Sequence, residues 1–163
     1  MKKQSQSTPA TPVFRELSRA ECEEMLARNN VGRVAFSFHD RVDIEPVNYV
    51  FSEGWLHGRT SPGTKLSTLK HSPWVAFEID EVEGLLDWRS VIVHGTVYIP
   101  DPEGSPRDRA AYESSLTILR QLTPHALEQD DPTPWRDVMI RLHLDEVTGR
   151  ESHSRFHHRS STR

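Results

Sequence analysis

The stretch EPVNYVFSEGWLHGRTSPGTK, Glu45 to Lys65, changes character three times, and its reading decides the fold. Val47, Tyr49 and Phe51 alternate with other residues at the period of a β-strand, and Ser52-Glu53-Gly54 then makes a tight turn into a second extended run, Trp55 to Thr60. Ser61-Pro62-Gly63 ends that run, and Leu66 and Leu69 follow at helical spacing, so a short helix starts near Ser61-Pro62. Just upstream, Val42 and Ile44 share the opposite phase from Val47, Tyr49 and Phe51, which predicts a bulge or bend at Glu45-Pro46.

The same logic extends to both sides. Val34, Phe36 and Phe38 alternate and lead through His39-Asp40 into the Val42 to Phe51 run, a hairpin. Before them, Ser18 and Glu21 form a capping box ahead of a helix to about Asn29, with Cys22, Met25 and Leu26 on one face. Downstream, Val75, Phe77 and Ile79 mark a fourth strand. The run from Trp88 to Ile99 marks a fifth, with Gly95 in mid-strand where a neighbouring backbone can approach. A helix from about Arg107 to Leu122 comes next, and Val138, Ile140, Leu142 and Leu144 form a sixth strand closing at Thr148-Gly149. Six strands with three short helices predict a mostly β protein, an antiparallel barrel. Residues 1–13 and 151–163 are polar and basic with little to bury, so a single domain is expected over 14–150 between disordered ends.

Composition narrows the function. The 163 residues carry 20 Lys+Arg against 24 Asp+Glu, a net charge of -4 that argues against electrostatic gripping of nucleic acid. The single cysteine, Cys22, cannot form an internal disulfide, and no stretch approaches the ~18 apolar residues of a membrane span, so a cytoplasmic protein is expected. No Cys/His or His/carboxylate spacing in the body matches a zinc site.

Chemistry concentrates in Arg59 to Lys65. A strand delivers Arg59 and Thr60, a Pro-Gly turn exposes backbone amides, and Lys65 lies one turn into a helix, which together would cradle a phosphate. A solvated helix start with two cations accounts for the same residues. The spacing is neither that of a P-loop nor a GxGxxG fingerprint. If Pro46 distorts its strand, Val47 and Asn48 would offer backbone groups and an amide to the edge of a planar heterocycle; an edge strand protected by a proline is the plainer account. His57 and His94 sit in strands as hydrogen-bonded structural residues, and Trp135 is expected to pack in the core.

The runs GRVAFSF, PVNYVF, RTSPGTKLSTL, PWVAFEIDEV and WRSVIVHGTV resemble the pyridoxamine-5′-phosphate-oxidase-like FMN-binding proteins over roughly Leu17 to Arg150, especially the nitroimidazole-resistance subgroup. The resemblance implies a six-stranded antiparallel FMN-binding split barrel of Greek-key type and a homodimer with the cofactor at its interface. By position it assigns Arg59, Thr60 and Lys65 to the FMN phosphate, Val47 and Asn48 to the ring, and Trp88 and Ser90 to a strand that completes the pocket. Two departures stand out. Arg59 replaces the histidine typical of the nitroimidazole-resistance proteins, and the tail lacks the Arg-rich motif of the true oxidases, so vitamin B6 synthesis is not expected. The implied activity is an FMN-dependent oxidoreductase acting on a small planar substrate. The alternatives are a flavin carrier or sensor without turnover, or a barrel using F420 or haem.

Overall fold

The computed structural model of the chain describes residues 11–155. In chain order the elements are β1 (Thr11–Leu17), α1 (Arg19–Arg28), β2 (Val31–Phe38), β3 (Arg41–Ser52), β4 (Trp55–Thr60), α2 (Thr64–His71), β5 (Trp74–Gly84), β6 (Asp87–Tyr98), α3 (Pro106–Leu119), β7 (Val138–His143) and β8 (Glu146–Arg155).

The strands run in the order β1-β8-β6-β5-β2-β3-β4-β7, and a further pairing of β6 with β7 closes a ring. That ring contains the six strands expected from the alternation, all paired antiparallel. Closure depends on β6 changing partners: residues Trp88 to His94 pair with β8, and Val97 and Tyr98 pair with β7. Gly95 lies at the changeover. A Cβ there would fall 1.9 Å from the His143 carbonyl oxygen, so only glycine lets the two backbones approach, as its mid-strand position predicted.

Alternation divides each strand between an inside and an outside. Val34, Phe36, Val47, Tyr49, Leu56, Val75, Phe77, Ile79, Val91, Val93 and Leu142 fill the interior. Cys22, Met25 and Leu26 of α1 join them, and the Tyr49 hydroxyl donates to the Leu26 carbonyl at 2.9 Å. The capping box forms as read, with Ser18 Oγ accepting from the Glu21 amide and Glu21 Oε2 accepting from the Ser18 amide. A smaller core of Leu119, Ala126 and Met139 lies outside the ring, where α3 and the following residues cover β3, β4 and β7.

Several expectations are corrected. The chain has eight strands among the described residues, because β1 pairs along its whole length with β8, Thr11 with Arg155 through to Leu17 with Gly149. Residues 11–13 and 151–155 are therefore ordered strand, and Gly149 lies inside β8; the remaining terminal residues expected to be disordered lie outside the described residues. No bulge occurs at Pro46, since β2 and β3 stay in register from Val31 with Asn48 to Phe38 with Arg41. The phase change arises instead because Val42 and Ile44 point outward on a hairpin that extends past the core. Trp135 is exposed, not core.

Candidate functional site

The ring splits between β3 and β4. β3 pairs with β2 as far as Asn48, but with β4 only from Tyr49, which faces Gly58. The β3 edge at Val47 and Asn48 therefore leaves the β4 ladder, although their other edge stays paired with β2. Across this split the chain leaves β4 at Thr60, turns through Ser61-Pro62-Gly63 and enters α2.

Gly63 is the N-cap of α2, with φ 151°, a conformation costly for any residue with a side chain, and open space lies where its Cβ would be. Among the described residues no side chain caps the helix, so its first-turn amides remain open with the positive end of the peptide dipoles. Lys65 lies in that turn and donates to Glu45 Oε2 of β3 at 2.6 Å, a part-exposed pair. This arrangement suits an anionic group. The amides are uncapped, the approach is free of a Cβ, and a cation stands beside them on a partner that solvent already competes for.

Arg59 is placed differently from a free phosphate arm. It lies on the outer face of β4 and is buried in a bidentate pair with Asp131, its Nη2 donating to Oδ1 at 2.7 Å and its Nη1 to Oδ2. Nη2 also donates to Thr133 Oγ1 at 2.8 Å. The Asp131 carboxyl is held well below the usual carboxylate range, first by Arg59 and then, against the opposing effect of burial, by the Leu127 and Thr133 amides. Arg59 thus ties the segment between α3 and β7 to the barrel. The sequence reading missed Asp131 and Thr133, which carry no local signal so far from β4, and Glu45, whose only mark is an acid in a strand.

The predicted residues do not meet in one cavity of a single chain. Asn48 and Arg59 share a cleft of about 110 Å³ with Leu119 and Arg136. Val47 and Lys65 border a void of about 30 Å³ inside the ring, and Thr60 is buried opposite Val138. Trp88 and Ser90 line a separate, open cleft of about 560 Å³ on the outer face of β6 and β8, beside Arg150. His57 is buried, as a structural histidine, with Nδ1 3.1 Å from Ser115 Oγ.

Comparison with known proteins places the fold. A FAD-binding protein from Mesorhizobium loti is 26% identical and matches 88% of this chain and 99% of that one, with a TM-score of 0.68. A structure from Bacteroides thetaiotaomicron, named as a candidate 5-nitroimidazole antibiotic resistance protein, matches 94% of this chain and 98% of that one at 14% identity and a TM-score of 0.65. An uncharacterized protein of Rhizobium meliloti (strain 1021) is 26% identical over 143 residues, 87% of each chain. The family model for pyridoxamine 5'-phosphate oxidase matches residues 18–151, from the start of α1 into β8 with the split and the α2 turn included, and the chain belongs to that family.

Proposed function

We propose that the protein binds FMN with its phosphate at the α2 turn, and that it is an oxidoreductase for small, flat, electron-poor substrates. The observation that carries this reading is the uncapped start of α2 at Gly63, with Lys65 beside it and the freed edge of β3 across the split. Lys65, Thr60 and the α2 amides would hold the phosphate, Arg59 would fix the end of β4 through Asp131, and Val47 and Asn48 would border the ring. The flavin supplies hydride transfer when bound, so the protein needs no acid/base pair of its own. Its residues position, neutralise charge and exclude water.

Trp88 and Ser90 line a cleft that contains none of the residues of this turn, so the reading requires a second copy of the chain. The outer face of β2, β3, β5 and β6 exposes Val31, Ile44, Trp74 and Ile92 at 63%, 65%, 50% and 40%, and there Arg33 already pairs with both Glu78 and Asp80. Such a face suits a two-fold contact, which would bring Trp88 and Ser90 of one copy to the turn of the other. FAD is the second reading, favoured by the ligand of the Mesorhizobium loti protein.

The test is titration of the purified protein with FMN and with FAD, followed by absorbance and by steady oxidation of reduced nicotinamide with an added acceptor. Lys65→Ala is expected to weaken FMN binding by ~1.5–3 kcal/mol, the worth of a charge-assisted contact. Flavin binding unchanged by Lys65→Ala would sink the phosphate assignment, and binding without turnover would identify a carrier or sensor.

A further inference from the structure

A second cleft, of about 640 Å³, opens at the other end of β4 from the α2 turn, between the first turns of α3 and the ends of β6 and β7. Its volume lies within the range of small-molecule sites. One wall is aromatic: the Trp55 ring meets Tyr98 at 5.4 Å and His143 at 4.7 Å, both edge-on. Arg141 stacks on that wall, with its guanidinium carbon 4.2 Å from the Trp55 ring centroid.

The charges around the cleft are unbalanced in a particular way. Among the described residues the Arg141 guanidinium has no hydrogen-bond or ion-pair partner, and its Nε is buried. Burial alone acts on its ionisation, pushing it below the usual arginine value, yet a guanidinium stays charged at any physiological pH. Arg107, exposed on α3, borders the same space. The acids there are already engaged. Asp145 accepts from His143 Nδ1 at 2.6 Å and from the Thr96 amide at 3.0 Å, while Asp108 accepts the Ser105 hydroxyl at 2.6 Å. A buried guanidinium donor without a protein partner is rare in native proteins.

We propose that this cleft binds a small planar carboxylate, its ring against Trp55 and Tyr98 and its anion held by Arg141 with Arg107 as the second cation. A guanidinium fork matches a carboxylate bidentately, and the aromatic wall selects a flat body over a bare anion. The site is separate from the α2 turn and does not rest on the flavin reading.

Calorimetric titration of the full chain with benzoate, benzamide and inorganic phosphate tests it, with flavin absent and present. Benzoate is expected to bind saturably with a Kd of about 0.1–1 mM and at least about tenfold more tightly than benzamide or phosphate. Arg141→Gln should weaken it about tenfold and Arg107→Glu at least about threefold, whereas Lys65→Ala should leave it unchanged. If Arg141→Gln does not fold, the exposed Arg107→Glu variant decides. No saturation up to about 10 mM, equal binding of benzamide, preference for phosphate, indifference to Arg107→Glu or sensitivity to Lys65→Ala would each overturn the proposal.

Discussion

Truncating Arg59 would leave the buried Asp131 carboxylate with the Leu127 and Thr133 amides but without the guanidinium that pairs with it. Arg59→Ala is therefore expected to destabilise the fold by about 3–5 kcal/mol in urea unfolding, while Arg59→Ala with Asp131→Ala costs less than the sum of the two single changes. Flavin affinity measured on Arg59→Ala alone would mix this loss with any effect at the phosphate, which makes Lys65 the cleaner probe. His57 acts on stability through pH. Burial, then the charge of Arg141, lowers it from 6.5 to about 4. The unfolded chain therefore takes up a proton that the folded chain refuses, and stability falls as pH drops from about 6.5 to about 4. His57→Gln should lose that part of the pH dependence, of order 1–3 kcal/mol, when unfolding is compared at the two ends of the window.

At the scale of elements, β8 couples parts of the chain that are far apart in sequence. Glu151 accepts from Arg15 Nε of β1 at 2.8 Å and from Arg89 Nε of β6 at 3.0 Å, and Ser152 Oγ donates to the Leu86 carbonyl at 2.7 Å. A chain ending at Arg150 loses these contacts together with the register of Thr11 to Arg15. It should be less stable by about 2–5 kcal/mol, from ladder bonds each worth about 1 kcal/mol, and proteolysis should cut first within β1. Wild-type resistance matched by the shortened chain would show that the pairing of β1 with residues 151–155 adds nothing to the ring.

For the whole molecule, the apolar outer face is the feature that a single chain leaves unexplained. If two copies meet there, Ile44→Asp should shift the protein from dimer to monomer in sedimentation and weaken flavin binding by at least about tenfold, with the barrel intact by circular dichroism. A wild-type protein that stays monomeric at micromolar concentration would remove the need for that face in the cofactor site.

Local chemistry wrote much of this protein into its sequence. The alternation that buries Val34, Phe77, Val91 and Leu142 defines the six ring strands, Ser18 and Glu21 start α1, Gly95 marks a close approach, and Gly63 with Lys65 marks the turn suited to an anion. Each of these signals lies within a few residues, where period, capping and backbone freedom act. Tertiary structure alone decided the rest. β1 and β8 lie beside the ring and put few apolar side chains into its core, so their order comes from pairing with each other and with β6. Arg59 is a buried anchor because Asp131, 72 residues away, reaches it. Among the described residues Arg141 has no hydrogen-bond or ion-pair partner because folding placed it against Trp55 while its neighbouring acids turned to other donors. Charge compensation and edge pairing depend on residues distant in the chain, and no local period encodes them.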